Sequence, residues 1–255
     1  MKKIYLFDVD GTLTVAKEAI DPYFAKEFFK WMQDKEVYIV SGGTFVRIIG
    51  QLGTEITNKT SGVFACMANV FLQKIEHVNE TGYDEWETVY ENNFKPPGRP
   101  DKFYAKLDGI VKESSYPVKT GNHHELRTGM VNFSIVGRNA NTEQRKAYTA
   151  YDKENLEREK IVATLKKEYS ELDFVIGGAV SIDIFNIGND KSQVIDRYLE
   201  EALEHNEIIF VGDRIPFPGN DYPLAIVLRQ HPNGAAYEVE DWRDTAELLK
   251  TKAFA

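Results

Sequence analysis

Cysteine is almost missing from this sequence: Cys66 stands alone among 255 residues. One thiol cannot close an internal disulfide, so a disulfide-stapled secreted scaffold is excluded and a reducing, cytoplasmic setting is expected. Long apolar runs are missing too. No uninterrupted stretch approaches the roughly 18 residues of a membrane-spanning helix. Met1-Lys2-Lys3-Ile4 leads straight into a strand-like segment rather than an extended apolar leader. Cations are in deficit, 31 Lys and Arg against 40 Asp and Glu, for a formal net charge of −9. That balance argues against a surface built for nucleic acid or an anionic membrane. It leaves room for a pocket in which a few local cations hold a small anion. What is present in quantity is apolar side chain, 42% of the chain, enough to bury a core in one large domain or two modest ones.

The first part of the chain alternates strand and helix signals. Ile4-Tyr5-Leu6-Phe7 is a short apolar run ending at Asp8; Phe24 to Met32 carries apolar residues at helical spacing behind Asp21-Pro22. Val37-Tyr38-Ile39-Val40 closes on Ser41-Gly42-Gly43, helical periodicity returns with Phe45, Ile48, Ile49 and Leu52, and Val63-Phe64-Ala65 follows. Nearly all-apolar strands separated by helices predict a parallel sheet covered on both faces.

After about residue 82 the pattern changes. Tyr83, Trp86, Tyr90 and Phe94 fall at helical spacing, Pro96 to Pro100 is a break, and Arg127 to Val136 alternates like a strand. A charged helix over about Glu154–Tyr169 precedes strands at Phe174-Val175-Ile176 and Ser181–Phe185. From Lys191 the first pattern resumes, with a helix to about Leu203, a strand at Ile208–Val211 and buried runs beyond. The expected architecture is an α/β, doubly wound parallel-sheet core over 1–81 and 186–255, with an α+β cap, 82–185, inserted between the halves.

Chemistry concentrates where strands end. Asp8 and Asp10, in Asp8-Val9-Asp10-Gly11-Thr12-Leu13-Thr14, emerge at the C-terminal edge of the first strand, the edge at which open α/β sheets bind ligands. Two carboxylates one residue apart can divide labour between attack and proton transfer. Asp213 and Asp221 follow a later strand, and with Asp8 they offer hard oxygens suited to Mg²⁺. A calcium loop is excluded, because apolar Val15 and Ala16 stand where it would need oxygens.

The Asp8–Thr14 segment resembles the signature of the haloacid dehalogenase superfamily. Further segments extend the likeness to its eukaryotic-type phosphomannomutase family: Arg127–Asn132, Ile135–Arg138, Gly177–Phe185, Asn189-Asp190-Lys191 and Pro218–Asp221, in order along nearly the whole chain. The resemblance implies a phosphomannomutase that interconverts mannose 6-phosphate and mannose 1-phosphate through an aspartyl-phosphate, feeding GDP-mannose biosynthesis. It implies Asp8 as nucleophile, Asp10 as general acid and base, and Lys191 as the lysine that neutralises charge beside the phosphorylated aspartate. Mg²⁺ would rest on Asp8, the Asp10 carbonyl, Asp213 and Asp221. Arg127, Arg138 and Arg145 would grip the sugar phosphate, Ser181 and Asp183 the sugar. A hexose bisphosphate activator and a homodimer formed through the cap are implied as well.

Arginine suits the distal-phosphate role on its own chemistry, since its fork binds phosphate bidentately. Lys17 stands where the family has an arginine; it keeps the charge and loses the fork. Either Ser41 or Thr44 could supply the hydroxyl for the transferring phosphate, with Ser41 favoured. Cys66-Met67-Ala68 replaces the family's Glu-Asn-Gly, removing polar contacts at the core–cap junction, and Cys66 reads as a small buried filler. His123 and His124, adjacent on a strand, would face opposite ways and make a poor metal pair. The aromatic residues at 83–94 could form the dimer surface or the cap's own core. A sugar-phosphate phosphatase of the same superfamily is the alternative activity; a catalytically silent regulator is disfavoured by the presence of both Asp8 and Asp10.

Overall fold

Strands that are apolar on both faces have to be covered on both sides, and the chain supplies that cover. The computed structural model describes residues 1–75 and 86–254. In chain order the elements are β1 (Lys3–Phe7), α1 (Pro22–Trp31), β2 (Glu36–Val40), α2 (Phe45–Lys59), β3 (Gly62–Ala65), β4 (Val70–Lys74) and β5 (Trp86–Glu91). Next come α3 (Pro100–Glu113), β6 (His124–Arg127), β7 (Met130–Phe133), α4 (Thr142–Asn155), α5 (Glu157–Glu168), β8 (Leu172–Gly177) and β9 (Ser181–Asn186). The last are α6 (Glu200–His205), β10 (Glu207–Gly212), α7 (Tyr222–Gln230), β11 (Gly234–Glu238) and α8 (Trp242–Leu248).

The larger sheet runs β11-β10-β1-β2-β3-β4-β5. It is parallel from β11 to β3, and β4 and β5 add antiparallel at one edge. One face buries Tyr5, Phe7 and Ile39 against Phe24 and Phe28 of α1 and Ile48 and Leu52 of α2. The other buries Ile4, Leu6 and Phe210 against Leu203 of α6 and Leu224 and Leu228 of α7. This is the doubly wound core that the apolar strands predict.

The second sheet, β6-β7-β9-β8, is antiparallel throughout. Alternation sorts its side chains. Val131, Phe133, Phe174, Ile182 and Ile184 pack with Phe103 and Leu107 of α3, Tyr148 of α4 and Leu165 of α5. Asn132 and Asp183 are cross-strand partners on the opposite face. On that face Met130, Val175 and Phe185 join the apolar cluster of the larger sheet, so the polar pair looks toward the core.

Several expectations are corrected. Trp86–Glu91 is a strand of the larger sheet rather than a helical stripe, so the chain leaves that sheet only after residue 91, not at 82. Trp86 packs on Phe45 of α2 and the Tyr90 hydroxyl donates to the Ala68 carbonyl at 3.0 Å; Phe94 alone stacks in the cap, on Phe103. Tyr83 lies outside the described residues. Within 127–136 only Met130–Phe133 follows as a new strand, pairing back on His124–Arg127 through a turn at Thr128-Gly129, with Gly129 at φ 69°. The charged helix is two helices broken at Leu156, whose φ is 53°. The buried run Leu224–Leu228 lies in α7, and the helix expected from Lys191 is present over 193–205, with a π-helical turn, Ile195–Leu199, leading into α6. Among the described residues no helix is long and apolar enough to cross a membrane.

The chain passes between sheets twice, and the two crossings are tied by amides. Asn69 Nδ2 donates to the Asn189 carbonyl at 3.0 Å; Asn92 Nδ2 donates to Asn69 Oδ1 at 2.9 Å and Gln193 Oε1 at 2.7 Å. Asn186 and Lys95 exchange two further bonds at 3.2 and 3.1 Å.

Candidate active site

β1 delivers Asp8 to the sheet's C-terminal edge, where its N–H continues the ladder to the Val211 carbonyl at 3.0 Å. Gly11 then turns the chain at φ 90°; a Cβ there would run into the Asp213 carboxylate, so the tight turn and the acidic neighbour both require glycine. Asp10 is held by the Lys17 N–H at 2.7 Å and by Gln51 Nε2 at 2.8 Å, both on Oδ1. β10 ends beside Asp213, and Asp221 opens α7 with its Oδ2 accepting from the Arg214 N–H at 2.9 Å.

Asp8, Asp213 and Asp221 each present an oxygen, all within 4.8 Å of one another. Lys191 is wholly buried beneath them and donates to Asp8 at 2.6 Å and to Asp221 at 2.5 Å. Burial pushes Asp8 well above the usual carboxylate range; Lys191 opposes this, and the charges of Asp221 and Asp213 add to it. Burial and Asp221 likewise push Asp213 up to about 7. Lys191 is held above its ordinary value because Asp221 and Asp8 outweigh its desolvation. Fully ionised, three carboxylates against one ammonium leave this corner at −2, and a divalent cation fits a cluster of hard oxygens with that deficit.

The opposing wall comes from the smaller sheet. Arg127, almost fully buried, donates from Nη1 to the Gly42 carbonyl of the core at 2.7 Å and from Nη2 to Glu125 at 3.0 Å. Arg138 contacts the same carboxylate at 2.6 Å and donates to Asn132 Oδ1 at 2.5 Å; Asn132 in turn donates to Asp183 at 2.5 Å. Arg127 Nε, Arg138 Nε and Arg145 Nη1 are buried without a hydrogen-bond partner, donors left for an anion. Burial, then the charges of Arg138, Arg145 and Arg47, press the Lys17 ammonium down to about 7, a measure of the positive field here.

Between the walls lies a cavity of about 40 Å³ lined by Asp8, Asp10, Lys17, Ser41, Arg127, Arg138, Arg145, Ser181, Asp183 and Asp213. Of the residues given a catalytic, metal or substrate role from the sequence, Lys191 and Asp221 alone are outside its lining, both fully buried. Ser41 faces the cavity and its hydroxyl accepts from the Gly43 N–H at 3.0 Å, whereas Thr44 caps α2 through the Arg47 N–H. Cys66 is buried and desolvation pushes its thiol up to about 11, in keeping with a filler. Cys66, Met67 and Ala68 all adopt positive φ, 52°, 61° and 61°. Met67 Sδ accepts from Asn220 Nδ2 at 3.6 Å, a weak substitute for the polar contacts expected at this junction. His123 meets the Ser134 carbonyl and His124 meets Asp108, both at the cap edge.

Arg47, Gln51, Glu125, Asn132 and Asn220 belong to this site and were not singled out. Glu125 was within reach: two residues before Arg127, it shares that arginine's strand face. Arg47 and Gln51 sit one turn apart on α2 and reach the site only through the fold.

A model of the family described as eukaryotic phosphomannomutase matches residues 25–254. A phosphomannomutase of Dendrobium officinale is 33% identical over 256 residues, spanning 97% of this chain and 92% of that protein. One of Saccharomyces cerevisiae is 30% identical over 254 residues, spanning 96% and 92%. Among solved structures, the C-terminal domain of a C. albicans trehalose-6-phosphate phosphatase superposes with a TM-score of 0.56 at 17% identity, over 90% of this chain and 74% of that one, a likeness of fold. Acidic strand ends on a haloacid dehalogenase-like sheet thus coincide with a match along most of the sequence, and the chain belongs to the eukaryotic phosphomannomutase family.

Proposed function

We propose that this enzyme interconverts mannose 6-phosphate and mannose 1-phosphate through a phosphoaspartate on Asp8. One observation carries the reading: a carboxylate cluster with a buried lysine faces an arginine-rich wall with unpaired donors across a single cleft. A mutase has to hold one phosphoryl at the nucleophile and the other at a distance, and this cleft is polarised in that way.

In the proposed reaction an Asp8 oxygen attacks a phosphorus of a hexose bisphosphate activator in line. The phosphorus–sugar oxygen bond breaks and Asp10 gives its proton to the departing oxygen. Asp10, now a carboxylate, takes the proton from the hydroxyl of the next hexose phosphate as that oxygen attacks the phosphoaspartate. Ser41 donates to the transferring phosphoryl, and Lys191 offsets charge around Asp8. Arg127, Arg138, Arg145 and Lys17 hold the phosphate that is not reacting, and Ser181 and Asp183 meet sugar hydroxyls. The Arg127–Gly42 bond and the Ile176 N–H on the Pro218 carbonyl, at 3.4 Å, draw the two walls together. Closure keeps water from the phosphoaspartate. A cavity of about 40 Å³ admits a few waters, so the walls must part for each hexose phosphate.

Asp8, Asp213 and Asp221, with the Asp10 carbonyl, would hold Mg²⁺, the ion their hard, closely grouped oxygens suit. When bound, it supplies positive charge to the transferring phosphoryl. A cytoplasmic homodimer formed through the cap completes the proposal, and Leu126, 65% exposed on β6 at the edge of the cap sheet, is an apolar contact available to it.

The test is an assay with mannose 1-phosphate, Mg²⁺ and a hexose bisphosphate that reports mannose 6-phosphate and free phosphate together. Isomer formation that is lost in Asp8→Asn supports the mutase. Steady phosphate release without isomer identifies a phosphatase instead.

A further inference from the structure

The proposed reaction has a geometric requirement that the catalytic cavity does not meet. Its doubly phosphorylated intermediate must reverse end for end, and with the walls closed about 40 Å³ leaves no space for a sugar to rotate. A second, open groove of about 600 Å³ adjoins that cavity and shares Ala16, Lys17, Arg145 and Ala179 with it, so the two are continuous. One flank is the loop Val15–Glu18; the other is a face of α4 on which Lys146 and Lys153 both stand.

The charge of this groove runs against that of the chain. Lys17, Arg145, Lys146 and Lys153 line it against Glu18 as the one acid in the lining, in a protein of net charge −9. Its floor is apolar, with Val15, Ala140, Ala150 and Ala179, a surface that carbon faces of a sugar can lie on. Lys146 and Lys153 are seven residues apart on one helix, ~10 Å along its axis, a span comparable with a hexose carrying a phosphate at each end. Lysine holds phosphate as a flexible point charge rather than by a rigid fork, so such contacts exchange readily. At the inner end, Arg145 Nη1 is buried without a partner, ready to take a phosphate passing from groove to cavity.

We infer that this groove is a holding site in which the hexose bisphosphate intermediate turns end for end before returning to Asp8. The inference rests on the mutase reading. Retention there keeps the intermediate at a high effective concentration near the cavity, whereas release to bulk would make each turnover depend on recapture.

The test uses enzyme carrying ³²P on Asp8. Mannose 1-phosphate is added with excess unlabelled hexose bisphosphate, and label is followed in released bisphosphate and in mannose 6-phosphate. In wild type most label reaches mannose 6-phosphate. In the Lys146→Gln, Lys153→Gln double variant, whose changes lie on exposed side chains, the fraction escaping as bisphosphate rises at least threefold. The activator concentration for half-maximal isomerisation rises with it. Phosphorylation of Asp8 by a small phosphate donor is unchanged, and Lys→Arg at both positions restores retention. Equal escape from wild type and the glutamine variant overturns the holding site alone. Label leaving wild type only as inorganic phosphate overturns the mutase reading, and this inference with it.

Discussion

Lys191 donates to Asp8 at 2.6 Å in a place where the lysine side chain is 0% and the aspartate side chain 6% exposed. The same ammonium holds Asp221, so it is the charge that lets buried carboxylates sit together. Lys191→Met should therefore lower folding stability by about 3–5 kcal/mol in urea unfolding, the usual result of orphaning buried charge. Adding Asp8→Asn should recover part of that loss by removing one repelling partner. A Lys191→Met protein as stable as wild type would contradict this.

Glu125 serves the opposite wall, joining Arg127 and Arg138 through one oxygen. Burial alone would raise its carboxyl, but the Arg127 hydrogen bond and the charges of Arg127, Arg138 and Arg47 outweigh it and hold the group at about 2. A carboxyl held below its ordinary 4.5 contributes stability above that pH, and the contribution fades as pH falls toward about 2. Because the side chain is 36% exposed, solvent screening reduces the effect to about 1 kcal/mol. Glu125→Gln should be less stable than wild type by about that much at neutral pH, with the gap closing in acid. Thermal unfolding across pH measures the closing gap; a difference independent of pH would contradict it.

Arg158 and Asp152 form a buried ion pair at 2.7 Å where α4 gives way to α5. Arg158 also donates to the carbonyls of Gly178 and Ser181, at 3.2 and 3.3 Å, and so pins the turn that carries Ser181 and Asp183 to the cavity. Arg158→Lys keeps the charge and loses the fork. It should raise KM for the hexose phosphate about tenfold while leaving Asp8 phosphorylation by a small donor near wild type. A parallel fall in both reactions would assign the pair a purely structural role.

The core was legible because β1, β2 and β10 are apolar runs that end in polar residues of the site. Asp8 and Asp10 follow β1, Ser41 follows β2, and Asp213 and Asp221 follow β10, whereas β11, Gly-Ala-Ala-Tyr-Glu, carries no such run. The β4–β5 hairpin was not legible. Trp86 and Tyr90 are four residues apart, the spacing of one helical face, yet a bulge between them in β5 puts Trp86 on the α2 side of the sheet and Tyr90 on the other. Only pairing with β4 decides for the strand. The break at Leu156 was also hidden, since no glycine or proline marks it. In the site, the cap arginines were visible as motif residues. Asn132 and Gln51, which orient Asp183 and Asp10, depend on register and helix placement that one sequence does not display.

The amide ties among Asn69, Asn92 and Asn189 have a mechanical consequence. A lobe hung from two cords that are knotted together loses most of its ways to drift and keeps a swing about the knot. Arg127 and Arg138 ride on that lobe with Glu125 between them, so in the proposed reaction they would meet a phosphate as a fixed claw rather than finger by finger. On the proposed function, discrimination among hexose phosphates would then reside in whether the whole swing completes.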